Sequence, residues 1–355
     1  MSTLKDIAAV YYGETKIGAN RPIDFHHQQE SKAASMTIRI FSMLCVLLFA
    51  RTASAQAFPT KPVTIVGAYA AGGSADTLAR TLAERVSARI GQPVLVDPKP
   101  GANERIATEY LLRQPADGYT ISLVSMPHAT NPVLFASMRY DTAKEFIGLI
   151  HLTNIPVILI VRADSPIKNL ADFVAFAKAK PGEAMFGSPG MATSSQLTVE
   201  MLGMLAGVSF THIPYKGDAP ALTELLGGRI VASVHSLAGA IGQIRGGRVR
   251  AIGISSAQRV ALVPDVPTFA EQGYPDAVTA TWMGLIARSG TPKDIVAKLN
   301  AEFNAVLALP EVKEKLNDLG MTTVGGSSEQ FTAFIRSESE RWSKVIKARG
   351  IKIDE

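Results

Sequence analysis

Short apolar runs alternate with longer segments of helical period along most of the chain. Val63-Thr64-Ile65-Val66 reads as a strand, and after a glycine-rich turn Leu78, Leu82, Val86 and Ile90 recur every four residues until Gly91 stops the predicted helix. Val94-Leu95-Val96, a helix near 105–113 and a β-rich run over 119–124 follow, the last introduced by the turn signal Asp117-Gly118. Val157 to Val161 is continuously apolar, the pattern of a strand buried on both faces of a parallel sheet. Helices over 170–180, 194–206, 218–226 and 237–245 then alternate with strands at 185–186, 210–213, 230–234 and 249–254. After an apolar run at 281–287 the chain becomes helical, with helices at 292–308 and 311–319. A last helix over 328–349 carries Phe331, Phe334, Ile335, Trp342, Val345 and Ile346 on one stripe. The alternation predicts an α/β fold with right-handed crossovers.

This pattern begins late. The strongly apolar stretch Ile40 to Ala50 is about half of the roughly 20 residues that a membrane span needs. Arg39 precedes it, and Ala53-Ser54-Ala55 or Ala55-Gln56-Ala57 fits a small-residue cleavage site, so the segment reads as a secretory signal. Met36 is the expected start, residues 36–55 the signal peptide and residues 1–35 an upstream segment of no structural role. The single cysteine, Cys45, leaves with the signal, and the exported chain then has no thiol, disulfide or thiolate ligand. The full length of 355 residues corresponds to about two domains. Strand-like crossings near 155–161 and 278–287 are expected to join them, leaving a cleft between two lobes where ligands bind.

Composition narrows the function. With 47% hydrophobic and 19% charged residues the chain is globular, not disordered. The net charge of +5 comes from 36 basic and 31 acidic residues scattered along the sequence, unlike the clustered basic face that a nucleic acid requires. No G-x-S-x-G elbow or Walker loop occurs. Ser165-Pro166-Ile167-Lys168 matches S-x-x-K but opens on a Ser-Pro turn and has no K-T-G partner, so it reads as a chance match. His128, His151, His212 and His235 stand singly, without metal-ligand spacing. Neither a metal nor a cofactor is expected.

Several strand-to-helix turns are instead rich in glycine and hydroxyl groups. The first, Tyr69-Ala70-Ala71-Gly72-Gly73-Ser74-Ala75-Asp76, lets the backbone approach a ligand and offers the free N–H groups of a helix start to an anion. Read alone it is also an ordinary capped turn, with Ser74 as the cap, and Asp76 supplies its own negative charge there. The second, Gly187 to Ser195, places Ser188, Thr193, Ser194 and Ser195 beside two glycines, either as a carboxylate cradle or as a capped loop. Tyr215 and Lys216 follow a strand, Lys216 being either a ligand cation or a solvated side chain, and Ser125, His128, His235 and Ser236 stand at other strand ends. Together these motifs put hydrogen-bonding groups at the C-terminal ends of strands, where open α/β sheets bind ligands.

From Phe58-Pro59-Thr60-Lys61-Pro62-Val63 to Gly350-Ile351-Lys352 the sequence resembles the extracytoplasmic solute receptors of tripartite tricarboxylate transporters, the Bug receptors. The resemblance rests on Ala71-Gly72-Gly73-Ser74-Ala75-Asp76, Ile90-Gly91-Gln92-Pro93-Val94, Lys99-Pro100-Gly101-Ala102 and Ala116-Asp117-Gly118-Tyr119-Thr120. It continues through His212-Ile213-Pro214-Tyr215-Lys216-Gly217, Ala219-Pro220-Ala221-Leu222, Val263-Pro264-Asp265-Val266-Pro267-Thr268, Gly290-Thr291-Pro292 and Val324-Gly325-Gly326-Ser327. It implies a periplasmic binding protein-like fold of type II, with residues 58–157 and 283–355 forming one α/β lobe and 158–282 the other. It also implies a soluble periplasmic monomer, not an enzyme, that closes on a small organic carboxylate and delivers it to membrane transporter subunits. Carried over residue by residue, the site is Tyr69, Gly72, Gly73, Ser74 and Asp76, then Ser188, Thr193, Ser194 and Ser195, with Ser125 and His128. This chain departs from the family pattern at Ala102-Asn103-Glu104-Arg105, where a more glycine-rich turn is usual, and at His235-Ser236, where Asp-Thr or Asp-Ser is frequent. The rival readings are a sensing subunit for a membrane signalling partner and an enzyme using the same cleft.

Overall fold

The computed structural model describes residues 58–69, 74–135, 137–215 and 217–352; the expected upstream segment and signal peptide lie outside them. In the first part of the chain β1 (Val63–Gly67), α1 (Ser74–Ile90), β2 (Val94–Pro98), α2 (Arg105–Leu112) and β3 (Thr120–Ser125) follow one another. β1 lies between β2 and β3, parallel to both, with Val63 opposite Val94 and Thr64 opposite Thr120. The four-residue repeat of α1 faces the core, with Leu78, Leu82 and Val86 at most 1% exposed. After β3 comes α3 (Met126–Leu134), which the apolar pattern does not reveal because Pro127 and Pro132 interrupt it. Pro127 occupies the first turn, where no N–H is needed.

A four-residue turn of helix, α4 (Thr142–Glu145), leads into β4 (Phe146–Arg162), a strand of 17 residues. The chain continues through α5 (Leu170–Ala179), β5 (Met185–Ser188), α6 (Ser194–Ala206), β6 (Thr211–Pro214), α7 (Asp218–Leu226), β7 (Ala232–Ser236), α8 (Leu237–Arg245) and β8 (Val249–Ile254). It returns by β9 (Ala280–Arg288) and ends in α9 (Lys293–Leu307), α10 (Pro310–Asp318), β10 (Thr322–Gly325) and α11 (Ser328–Arg349). The sheet order is β2-β1-β3-β9-β4-β7-β5-β6, with β10 and β8 also paired to β4.

β4 belongs to two sheets. Phe146 to Pro156 pair with β9, and the stretch around His151 to Asn154 also pairs with β10. From Val157 the same strand pairs with β7 and β8. Pro156, which has no N–H to donate, stands where the partners change. All four pairings are antiparallel, which corrects the expectation of a parallel strand at Val157 to Val161: the run is apolar because helices cover both faces, whatever the strand direction. Ser255 binds the two chain crossings together. Its Oγ accepts from Val157 N at 2.9 Å and donates to Thr279 O at 2.7 Å.

Of the stripe expected on α11, Phe331, Trp342, Val345 and Ile346 are buried, and Phe334 and Ile335 are partly buried beside them. Its close approach is possible because Gly148 and Gly284 have no side chains: a Cβ on Gly284 would sit 2.1 Å from the Phe331 ring, and one on Gly148 would sit 2.7 Å from Thr332 N. Buried Glu338 accepts from both Trp282 Nε1 (3.1 Å) and Trp342 Nε1 (2.8 Å), tying β9 to α11. Arg349 Nε reaches Glu200 Oε2 on α6 at 2.6 Å, so the same helix also holds an element of the second sheet. Glu338→Ala leaves two buried indole N–H groups without an acceptor and should destabilise the fold by about 2–5 kcal/mol in urea titration, whereas Glu338→Gln, which keeps an acceptor oxygen, should cost less.

Candidate functional site

Parallel strands with short loops place helix starts at the strands' C-terminal ends, and four such starts meet at one cavity of about 230 Å³. Its lining includes Ser125 before α3, Thr193, Ser194 and Ser195 at the start of α6, Asp218 at the start of α7 and Ser236 before α8. Asn103, Pro189 and, from the returning strand β9, Thr281 are also in the wall. The residues come from both sheets, so the cavity lies between the lobes. Among its described lining residues there is no lysine or arginine. The helix starts contribute N–H groups and aligned peptide dipoles to its wall.

The second-sheet wall is built by its own hydrogen bonds. Thr193 caps α6, its Oγ accepting from Gln196 N at 3.3 Å while donating to Gly190 O at 3.0 Å. Thr281 Oγ donates to Ser194 Oγ at 2.9 Å, which leaves the Ser194 hydroxyl proton for an acceptor in the cavity. Ser188, fully buried, lies beneath the loop: its Oγ donates to Gly190 O at 2.8 Å and lies 2.7 Å from His212 Nε2. Burial lowers the His212 pKa to about 4, so the ring is neutral and its Nε2–H tautomer donates to Ser188.

On the first-sheet wall Ala102, Asn103 and Glu104 adopt φ of 46°, 51° and 70°, three left-handed residues in a row without a glycine. Such a turn costs about 1–2 kcal/mol per residue and needs compensation. Asn103 and Asn131 supply it reciprocally: Asn103 Nδ2 donates to Asn131 Oδ1, and Asn131 Nδ2 to Asn103 O, each at 2.7 Å. The Glu104 carboxylate accepts Ser125 N–H at 3.1 Å and the Ser125 hydroxyl through a very short bond. Desolvation outweighs these bonds and pushes the Glu104 pKa up to about 7.

The structure brings Ser125, Thr193, Ser194, Ser195 and Ser236 together, as expected from the strand-end motifs, and adds Asn103, Asp218 and Thr281. Gly72, Gly73, the Ser74 side chain and Lys216 lie outside the described residues. Tyr69 packs over Gly67 with its hydroxyl buried, and Asp76 is buried with Oδ2 held by Arg80 Nε at 2.9 Å. Tyr215 packs near Gly187 instead of lining the cavity. His128 turns into the first lobe, 2% exposed against Phe146, and burial lowers its pKa to about 4. His235 supports the cavity from behind: its Nδ1 donates to Asp218 Oδ1 at 2.6 Å, and its Nε2 lies 2.7 Å from Ser233 Oγ. This Asp-His-Ser order resembles a hydrolytic triad, but Ser233 is fully buried in β7 and faces no substrate space.

Asp218, Glu104 and Thr281 were not among the expected cavity residues: the only signals were an acid in a helix's first turn for Asp218 and a departure from a glycine-rich turn for Glu104, and Thr281 carried none inside its apolar run. A larger cavity of about 720 Å³, lined by Pro156, Thr279, Trp282 and Arg341 among others, lies on the other face of β9, since adjacent Thr281 and Trp282 point in opposite directions. Among the described residues no cluster of His, Cys, Asp or Glu can hold a metal, and no helix is long and apolar enough to cross a membrane.

Two α/β lobes sharing β4, with a hydroxyl-lined cavity at strand C-termini between them, define a binding protein of the periplasmic type. The family model of the tripartite tricarboxylate transporter family receptor matches residues 78–351, and the chain belongs to that family. The periplasmic binding protein BugD is 32% identical with a TM-score of 0.70, the match covering 83% of this chain and 100% of BugD. An R. palustris protein solved with adipate is 34% identical with a TM-score of 0.73, over 83% of this chain and 100% of that one. MatC from Rhodopseudomonas palustris with bound malate is 31% identical with a TM-score of 0.68, over 81% of this chain and 100% of MatC.

The pKa directions make the site's contribution to stability pH-dependent. Glu104 rises from 4.5 to about 7 on folding, so the native state holds the proton more tightly, and stability falls as pH increases through that window. His128 and His212 act oppositely: their pKa values drop from 6.5 to about 4, so stability is lost as pH falls through that range. Glu104→Gln should remove the first effect, its stability relative to the native chain rising by about 1–3 kcal/mol between pH 4.5 and 7.5 in urea titrations.

Proposed function

We propose that this receptor captures a small organic carboxylate in the interlobe cavity by closure of its lobes and delivers it to the membrane subunits of a tripartite tricarboxylate-type transporter. The observation that carries the reading is the convergence on one cavity of three helix starts that carry hydroxyl side chains, with no cation among the described lining residues. Such a site favours an anion through N–H and O–H donors. The related structures holding adipate and malate support the same ligand class. The cavity is small, which suits a short acid. The lobes are residues 58–157 with 283–355, and 158–282, and the partner change in β4 between Pro156 and Val157 supports the first boundary.

Closure is driven only by contacts that the ligand makes better in the closed state. Ser125 on one sheet and Ser194 and Ser195 on the other fit that requirement, because an acid bridging them gains bonds from both lobes. Hydrogen bonds to a charged group contribute about 1.5–3 kcal/mol each, and micromolar affinity needs about 8 kcal/mol, so roughly four such bonds suffice before the cost of closure. The protein binds and releases its ligand unchanged, from the periplasm, where the family acts.

A thermal-shift screen against short carboxylates, followed by calorimetry, tests the reading. Acids should stabilise the protein and neutral sugars should not; the reverse outcome would falsify it. Ser194→Ala should weaken binding of the best acid about 10-fold or more with the unliganded melting temperature nearly unchanged, since one charge-assisted bond is lost.

A further inference from the structure

Resting on the carboxylate reading above, we propose that Asp218 is a specificity-determining residue that selects an acid bearing a hydrogen-bond donor, ammonium or hydroxyl, close to its carboxylate. Asp218 is the one charged residue among the described lining of the cavity. Its position is built. Oδ1 is committed to Nδ1 of fully buried His235, and His235 is held in turn by Ser233. Gly239 on α8 leaves room for the other oxygen, since a Cβ there would sit 2.6 Å from Oδ2. No described residue donates a hydrogen bond to Oδ2, and the side chain remains 37% exposed.

A carboxylate fixed in this way changes what the cavity accepts. A ligand carboxylate placed against Oδ2 meets a like charge with no described cation in the lining to offset it. Asp218 also stands in the first turn of α7 and occupies the positive end of that helix with its own charge. The ligand's carboxylate is therefore directed to Ser125 and to the α6 start at Ser194 and Ser195, and the group facing Asp218 must donate. In a cavity of about 230 Å³ both groups belong to one short molecule. An acid lacking the donor leaves Oδ2 desolvated and unpaired on closure, which is the costly outcome for a buried acceptor.

Calorimetry on the purified protein decides it, using four- to six-carbon dicarboxylates, each compared with its 2-amino and 2-hydroxy derivatives. One derivative class should bind at least tenfold more tightly than its parent acids, and which class it is distinguishes ammonium from hydroxyl. Asp218→Asn, nearly isosteric, should abolish that preference; if it fails to fold, Gly239→Ala, which keeps the charge and displaces it, should erode the same preference. Parent acids binding as tightly as both derivatives, or a preference that survives Asp218→Asn, overturns the role of Asp218 while the carboxylate reading stands. If no acid in the panel binds, the carboxylate reading fails and this proposal with it.

Discussion

One strand has to satisfy two sheets. β4 hydrogen-bonds to β9 and β10 before Pro156 and to β7 and β8 after it, so one continuous backbone runs through both sheets. The second crossing, at Val278 to Ala280, lies beside the first because Ser255 bonds to both Val157 and Thr279. These crossings have little slack, and the cavity opens next to them, at Thr281. In the proposed closure, a small change of angle at these crossings would move Ser125 relative to Ser194 and Ser195. α11 adds a third tie, since it holds Trp282 through Glu338 and Glu200 through Arg349.

Parallel strand direction explains why several helix starts border one cavity. In a β-loop-α unit the helix begins where the strand ends, so its unsatisfied N–H groups face the space beyond the sheet. Facing two such sheets edge to edge aims several helix starts at one volume. Ser and Thr at those starts serve first as caps or loop ties, as Thr193 and Ser236 do, and several also present a hydroxyl to the cavity. The cavity thereby has hydrogen-bond donors on both lobes. Two acidic side chains also stand near this space, Glu104 beneath Ser125 and Asp218 in the cavity wall.

Much of this was legible in the residues. The four-residue repeat of Leu78, Leu82 and Val86, the stripe on α11 and the apolar strands are local patterns, and local patterns survive folding because they reflect which face is buried. The hydroxyl-rich turn at Gly187 to Ser195 was legible as a polar turn before a helix, with a ligand cradle and a capped loop both open from the residues alone. Other features were not legible. The 17-residue length of β4 is hidden by His151, Asn154 and Pro156, polar or helix-breaking residues whose partners are distant in sequence: the His151 ring packs tilted against Phe334, and Asn154 pairs with β10 and β9. α3 is masked by its two prolines, one harmless in the first turn and one tolerated inside.

The sequence by itself determined the alternation of strands and helices, the buried faces, the capped turns at strand ends and, through many ordered motifs, the family. Periodicity and turn chemistry need only near neighbours, so they can be read without coordinates. Tertiary structure decided which of the strand-end residues share a volume. Ser125, Ser194, Ser195 and Ser236 meet at the cavity, while His128 turns inward against Phe146 and Ser188 serves the loop beneath. It also decided the pairing of Asp218 with His235 and of Glu104 with Ser125, contacts between residues 17 and 21 positions apart. Those depend on which sheet edges meet and how closely helices pack, and no local pattern in the chain encodes either.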